Sequence, residues 1–568
     1  MSTESVRHTT SSPWWRTAVI YQIYPRSFCD TNGDGIGDLP GIISKLDYLS
    51  RLGVDALWLS PVCCSPQADN GYDISDYLDI DPIFGTMEDM DRLILEAGRR
   101  GIRIVMDLVL NHSSDEHRWF LEAKKSRDNP YHDWYIWRDG TPDCPPRQAA
   151  ASFGGGMWEW VPELGQYYYH QFSAKQPDLN WANPEVRHAL YDMINRWTDR
   201  GIGGYRLDVA DHLGKDPDRG FTVRGPRLHE YIREMSAACF QRNALVTVGE
   251  AWSADPEQAL VYTSPDGSEL SMVFGFDHMK LDQAPGGDKW SLAPLDFVAL
   301  KRSFAHWQRT LYGRGWNSLF WENHDLPRIV SRFGNDGRYR AESAKLLAIA
   351  LHGMCGTPFI YQGEELGMTD PDYALEDFRD IEARNMLRDH RAQGWSEERL
   401  LTALRARARD NGRTPMQWDA TANAGFTDGE PWARLCPNYT EVNAASQLGQ
   451  PDSVLECYRT LIRLRKEIPV LTDGDFELLL EKDTRIFAYL RRDGLSELLV
   501  LCNFSDETVT NPIGPELWPG DKSCRLLVSS YPEAAHPASG PEACLPQYLR
   551  PWEARMLLKQ NQEPDRKK

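Results

Sequence analysis

Arg206 and Asp208 stand two residues apart in Gly203-Gly204-Tyr205-Arg206-Leu207-Asp208-Val209-Ala210, a run that reads as a short strand ending at the aspartate. Residues i and i+2 of a strand point to one side, so the two share a pocket. A guanidinium beside a carboxylate favours the ionised form, which suits an aspartate that attacks an electrophile. An isolated Arg-x-Asp pair would be an ordinary structural ion pair. Other apolar runs, however, end in chemistry as well. The second supplies Asp69 and Tyr72 in its loop, the third Asp107 and His112, the fifth Glu250, and the seventh His324 and Asp325. Burying so many polar groups without partners is too costly for packing alone to explain them.

Such a ring can cleave a glycosidic bond, which needs one ionised carboxylate as nucleophile and one protonated carboxyl to meet the leaving oxygen. Asp208 suits the first role. Glu250 follows the apolar run Ala244–Gly249 and precedes Ala251-Trp252. Burial against Trp252 is expected to raise its pKa and keep it protonated. Carboxyls on adjacent strands would lie about 5 Å apart, the spacing of a retaining enzyme. Asp325 would place negative charge against a developing oxocarbenium ion, and His112 and His324 would donate to sugar hydroxyls.

Positioning these groups requires parallel strands with their C-terminal ends together. From Trp15 onward, short apolar runs alternate with helical patterns. Strands are expected at Val19–Tyr24, Ala56–Leu59, Ile102–Asp107, Gly204–Leu207, Leu245–Gly249, Met272–Phe274, Ser318–Glu322 and Pro358–Ile360. Eight strands separated by helices fit an α/β fold, a (β/α)8 TIM barrel, better than an open sheet. The barrel is expected over residues 13–110 and 181–472. A loop-rich insertion at 111–180 follows the third strand, and a helical insertion at 366–443 follows the eighth. Residues 473–559 alternate apolar and polar positions, as a C-terminal antiparallel β-sandwich would, and 560–568 read as a disordered tail.

The 568 residues carry a formal charge of −20, which argues against nucleic acid or an anionic membrane as partner. No apolar stretch is long enough to span a bilayer, and Met1–Ser12 lack the apolar core of a signal peptide. The 11 cysteines show no metal-knuckle spacing and form an odd set, as reduced thiols in a cytoplasmic protein would. A monomer is expected. After the first strand, Asp30, Asn32, Asp34, Ile36 and Asp38 alternate along a Gly-containing loop, a pattern able to wrap Ca²⁺. The bidentate acid that would complete an EF-hand is absent, since Gly41 stands at its place.

These motifs together resemble the α-amylase family of retaining glycosidases. Asp107-Leu-Val-Leu-Asn111-His112, Gly204-Tyr-Arg206-Leu-Asp208-Val209, Gly249-Glu250-Ala251-Trp252 and Glu322-Asn323-His324-Asp325 are similar to its four best-known motifs. Gly356–Glu365 resembles its eighth-strand motif, and Gln176-Pro177-Asp178-Leu179-Asn180 the signature of its oligo-1,6-glucosidase branch. The resemblance implies Asp208 as nucleophile, Glu250 as acid/base, Asp325 as transition-state stabiliser, and a structural Ca²⁺ in the Asp30–Asp38 loop. No organic cofactor is implied.

Finer roles follow from the same resemblance. Arg409–Trp418 is similar to the segment whose second arginine, here Arg413, pairs with an aspartate matching Asp69 and closes one end of the pocket. The residue after the nucleophile is Val in α-1,6-acting members and tends to be Thr in α-1,4-acting ones; here it is Val209. Trp252, Lys289 and Glu382 resemble leaving-group contacts, and Phe153 and Phe172 hydrophobic walls. The expected activity is release of terminal α-1,6-linked glucose from an oligosaccharide substrate, with transfer to sugar acceptors competing with hydrolysis. The alternatives are hydrolysis of trehalose 6-phosphate, α-1,4-glucosidase or sucrose isomerase activity, and a non-catalytic relative resembling the heavy subunits of amino-acid transporters.

Overall fold

A computed structural model describes residues 13–147, 149–241, 245–514, 516–518, 524–532 and 545–560. Met1–Ser12 and the expected tail beyond Gln560 lie outside the described residues. Gln560 itself ends a strand.

Eight parallel strands build the barrel: β1 (Ile20–Ile23), β2 (Ala56–Leu59), β3 (Arg103–Leu108), β4 (Gly204–Leu207), β5 (Val246–Glu250), β6 (Met272–Phe274), β7 (Ser318–Leu319) and β8 (Thr357–Tyr361). Their hydrogen-bonded order is β6-β5-β4-β3-β2-β1-β8-β7. The ring closes through a parallel bridge between Val273 and Asn317, reinforced by Ser318 Oγ donating to the Val273 carbonyl at 2.7 Å. Most of these strands are buried on both faces, which is why they read as continuous apolar runs. β7 is shorter than expected, because the run to Glu322 leaves the ladder after Leu319.

Register places the chemistry. Arg206 on β4 lies level with Asp107 on β3 and with Val248 on β5. The close approach of β4 to β5 requires Gly204, where a Cβ would stand 2.4 Å from the Val246 carbonyl oxygen. Helices return the chain from local signals. Asn183 and Pro184 open Pro184–Asp199, and a Thr86/Asp89 capping box opens Met87–Arg99. The helix between β5 and β6, faint in the sequence, is the short Pro256–Tyr262. After β1 the chain forms two short helices, Leu39–Ser44 and Leu46–Leu52.

Residues 111–180 carry a three-stranded antiparallel sheet of Trp137–Asp139, Gln166–Tyr169 and Trp158–Val161. After β8, helices Ile381–Ala392 and Glu397–Arg407 pack Met386, Leu400 and Leu404 against Trp290 and Tyr373. Asn385 Nδ2 donates to the Phe153 carbonyl at 2.7 Å, so the two insertions meet. The C-terminal antiparallel sheet runs Glu477–Leu479, Ile486–Arg492, Ser496–Asn503, Ala554–Gln560, Arg525–Ser529. It docks on helix Phe297–Leu311 through Lys301, whose buried ammonium donates to the carbonyls of Leu480, Asp483 and Ile486 at 2.6–2.9 Å.

Candidate active site

A cavity of about 500 Å³ opens at the C-terminal ends of the strands. Of the residues expected there, Asp69, Tyr72, His112, Phe153, Phe172, Gln176, Asp208, Val209, Glu250, Trp252, Lys289, Asp325 and Glu382 line it. Arg206, His324 and Arg413 lie behind that wall, fully buried, and act on it through other side chains.

Arg206 is shared three ways. Its Nη1 donates to Asp107 Oδ1 at 2.8 Å and to Asp208 Oδ1 at 2.7 Å, and its Nη2 meets Glu250 Oε2 at 2.6 Å. Arg206 lowers the Asp208 pKa as expected, but it does not prevail. Burial pushes the Asp208 carboxyl well above the usual range, Arg206 opposes this, and the charges of Glu250 and Asp107 add to the rise. Asp107 is likewise pushed up to about 6, again chiefly by burial. Asp107 and Asp208 are held on the same guanidinium nitrogen, and their titration belongs to the pair.

Glu250 also departs from the expected arrangement. Trp252 does not shield it with an apolar face, because the indole stacks on Phe276 with ring centres 3.8 Å apart. The indole N–H instead donates to Glu250 Oε1 at 2.8 Å, fixing the carboxyl's direction. Glu250 Oε2 accepts the backbone N–H of Val209 at 3.0 Å. Val209 has φ 36° and ψ 51°, the left-handed region that a β-branched residue rarely enters. Its peptide thus turns straight from β4 into Ala210–His212, with the N–H toward Glu250 and the isopropyl group in the pocket wall.

Asp325 lies under Arg413 Nη2 at 2.8 Å, Arg409 Nη1 at 3.4 Å and His324 Nε2 at 3.1 Å. Burial raises its pKa, but His324 and the two guanidiniums outweigh that and hold the carboxyl far below the usual range. His324 is pushed down to about 3, mainly by burial, and is neutral at working pH. Gln22 Nε2 donating to His324 Nδ1 at 2.7 Å leaves Nε2–H as the donor to Tyr72 Oη, which in turn donates to Asp107 Oδ2 at 2.9 Å. His112, pushed down to about 4 by burial, is also neutral, with Gln176 Nε2 at 3.2 Å.

Closure of the pocket corrects the assignment of Arg413. Asp69 is paired by Arg409, through Nη2 at 2.8 Å, and not by Arg413. Arg413 turns inward, where Nε donates to the His324 carbonyl at 2.7 Å and Nη1 to Asp380 Oδ2 at 2.9 Å. Asp380 joins the two arginines, accepting from Arg409 at 2.8 Å as well. The sequence shows both arginines, but their i, i+4 spacing runs through a 3-10 turn and an irregular stretch, so it does not say which guanidinium faces Asp69. Arg409 also lies over the Phe153 ring, 4.7 Å from its centre, and Phe153 packs on Phe172 at 5.4 Å.

The wall near Trp252 adds Lys280, Gln283 and Met279 from the segment after β6, residues with no sequence signal of their own. Lys289 Nζ pairs with Glu382 Oε2 at 2.6 Å, and Arg332 and Arg407 share Asp282 at 2.9 and 2.6 Å. Lys280 Nζ donates to the Trp252 carbonyl at 2.9 Å and pairs with no carboxylate among the described residues.

Residues 22–474 match the α-amylase catalytic domain. The chain belongs to the α-amylase family. It is 49% identical to an oligo-1,6-glucosidase of Halalkalibacterium halodurans, over 97% of this chain and 100% of that protein. It is 53% identical to a glucan 1,6-alpha-glucosidase of Streptococcus pneumoniae, over 87% of this chain and 92% of that one. Among solved structures, a trehalose-6-phosphate hydrolase of Bacillus licheniformis superposes with a TM-score of 0.91 at 44% identity, covering 97% of this chain and all of that one. As an α-amylase-family barrel, the chain carries its acids where that fold puts catalysis, at the C-terminal ends of the strands.

The Asp30–Asp38 loop lies below the helical insertion. Its Asp30, Asn32 and Asp34 side chains each accept the N–H two residues on, at 2.8–2.9 Å, which coils the loop. The donor set is all oxygen and suits a hard cation. Among the described residues no three His, Cys, Asp or Glu side chains converge on such a site, so amide and carbonyl oxygens would complete it. Asp38 is committed elsewhere: it accepts from Thr31 N at 3.0 Å and caps helix Leu39–Ser44 through Gly41 N at 2.6 Å.

Proposed function

We propose that this family member is a retaining exo-α-1,6-glucosidase that releases terminal glucose from isomaltose, isomalto-oligosaccharides or panose. The observation that carries the reading is the blind end of the pocket, where Arg409 ties Asp69 to Asp380 beside the carboxylates. One terminal glucose fits against that wall, with its hydroxyls facing Asp69, Arg409 and Asp325. Asp208 attacks the anomeric carbon and forms a glycosyl-enzyme. Glu250, aimed by Trp252 and Val209, gives its proton to the leaving oxygen and then deprotonates water, or a sugar hydroxyl when transfer competes. Asp325, held ionised by its two arginines, faces the positive charge that develops in the ring.

The apolar Val209 wall favours the α-1,6 linkage. Replacing it by Thr puts a hydroxyl at the leaving-group side, and one such contact shifts discrimination by about 10- to 100-fold. Val209→Thr is expected to raise the maltose-to-isomaltose ratio of kcat/KM by that factor. The parent, compared on isomaltose, panose, maltose, sucrose and trehalose 6-phosphate, should be fastest on the first two. Faster turnover of maltose would sink the linkage assignment. A phosphorylated leaving group would need free cations; Lys289 is neutralised by Glu382, while Arg332 and Arg407 share the one Asp282 carboxylate and keep a single net positive charge. Faster turnover of trehalose 6-phosphate would show that Lys280 and this charge suffice.

The same reading includes a structural Ca²⁺ held by Asp30, Asn32, Asp34 and the Ile36 carbonyl, with Asp38 shaping the loop. The loop braces the insertion that carries Arg409: Trp432 N donates to the Gly35 carbonyl at 3.0 Å, and Asp30 N to the Phe426 carbonyl at 2.9 Å. Chelation is expected to lower the unfolding midpoint by several degrees and raise KM, with both restored by added Ca²⁺ and neither seen in Asp34→Ala. An unchanged melting curve after chelation would remove the ion. The reading also takes the enzyme to be a monomer in a reducing cytoplasm, which suits the free thiols of Cys29, Cys63, Cys64, Cys355, Cys436, Cys457 and Cys502.

A further inference from the structure

Trp58 of β2 is 1% exposed and lines no part of the catalytic cavity, yet its side chain meets three members of the catalytic cluster. The indole N–H donates to Asp107 Oδ2 at 3.2 Å. The guanidinium carbon of Arg206 lies over its ring, 5.2 Å from the centre, a cation–π contact that burial strengthens. The His324 ring meets it edge-on, with ring centres 5.9 Å apart. Those partners come from β3, β4 and the segment after β7, so one side chain from β2 ties them together behind the cavity wall. The indole is itself clamped: Phe274 of β6 stacks on it at 5.7 Å, and Phe359 of β8 meets it edge-on at 6.2 Å. Trp181, Trp197 and Trp321, also buried, give their N–H to backbone carbonyls, which is all a packed indole needs. Trp58 gives its own to a carboxylate.

Asp107 lines no part of the cavity either. Its Oδ1 accepts from Arg206 Nη1, and its Oδ2 from Tyr72 Oη and Trp58 Nε1. The other groups that face it are Asp208 at the end of β4, Glu250 on β5 and, through Tyr72, the neutral His324. Asp107 and Asp208 share one guanidinium nitrogen, so a change in the position or charge of Asp107 alters what that nitrogen offers the nucleophile. An N–H donated to a carboxylate favours its ionised form. Here it works with Arg206 and Tyr72 against burial, which pushes Asp107 up to about 6. A stiff, clamped donor also fixes where the carboxylate stands.

We propose that Trp58 is a positioning residue for the glycosidase reaction: it seats Arg206, holds Asp107 ionised and in place, and through them fixes Asp208 against Glu250. The assignment rests on Asp208 and Glu250 as the catalytic pair proposed above, and not on the linkage cleaved. Trp58→Phe keeps an aromatic ring and removes the donor. On an aryl α-glucoside its kcat should fall about tenfold with KM nearly unchanged, since Trp58 lines no part of the pocket. The acid limb of kcat/KM should move up by about one pH unit, as Asp107 loses a donor. Trp316→Phe is the control, because it loses an equally buried indole donor, to Thr357 Oγ1 at 2.8 Å, at the opposite end of the barrel. It should lower the unfolding midpoint and leave kcat and the acid limb in place. Melting curves read the same shift without turnover. The folded pKa of Asp107 is raised, so its contribution to stability is present at low pH and fades as pH rises through that value. Raising it further should make the Trp58→Phe midpoint fall progressively below the parent's as pH rises from about 5 to about 8, while Trp316→Phe stays parallel to the parent. Should Trp58→Phe not accumulate folded, Trp58→Met, with neither donor nor ring, should shift the limb at least as far. An acid limb that stays in place in the Trp58 variant, or one that moves equally in Trp316→Phe, overturns the proposal. A parent that turns over no α-glucoside would count against the proposed function, and the melting difference would still decide the role of Trp58.

Discussion

Asp208→Asn is expected to lower kcat on isomaltose by about 10⁴-fold or more, as loss of a covalent nucleophile does, while the protein becomes more stable at neutral pH. The stability half follows from sign. Asp208 has its folded pKa raised above the unfolded value, so the folded state holds the proton more tightly, and stability falls as pH rises above the ordinary aspartate range. Asparagine removes one of three carboxylates crowded on Arg206 and so removes part of that slope. Melting curves of parent and variant should therefore diverge as pH rises from about 4, with the variant higher. An aryl α-glucoside with a good leaving group separates the two catalytic acids. It should restore much of the rate lost in Glu250→Gln, where protonation is missing, and little of that lost in Asp208→Asn, where no glycosyl-enzyme forms. Retained turnover of isomaltose by Asp208→Asn would remove Asp208 as nucleophile.

Much of this site is legible in the sequence because it stands at strand ends. Strands buried on both faces leave short apolar runs, and the polar residue that terminates each run is conspicuous against them. Asp107, Asp208 and Glu250 are found that way. What joins them is not legible, because Arg206 meets all three only through the mutual register of β3, β4 and β5, which no local pattern encodes. The same limit produced the reversal of Arg409 and Arg413, whose side-chain directions depend on a 3-10 turn packed under Asp380. The left-handed backbone of Val209 is invisible for another reason: nothing in a Val following Leu-Asp announces a conformation that valine disfavours. Lys280 ends the short 3-10 turn Asp277–Lys280 and Gln283 lies just past it, where spacing carries no information about which side chains face a cavity.

The sharing of Arg206 makes a second strong prediction. Arg206→Lys keeps a positive charge in the buried cluster, so the charge count is unchanged and the fold should survive. What it loses is the planar fork that now holds Asp107 and Asp208 on one nitrogen and Glu250 on the other. A lysine ammonium is a point charge on a flexible stem and cannot fix nucleophile and acid relative to each other. A displacement of about 1 Å in such a pair can cost about 10²-fold, and two misplaced groups cost more, so kcat should fall about 10³-fold while KM changes little. The pH profile supplies an independent reading. Arg206 is the main influence that lowers the Asp208 pKa against burial, so a looser cation lets that pKa rise further. The acid limb of kcat/KM should accordingly move to higher pH, because a larger fraction of Asp208 is protonated at any given pH below it. A rate within threefold of the parent, with an unmoved acid limb, would show that charge alone serves and that the fork geometry does not matter.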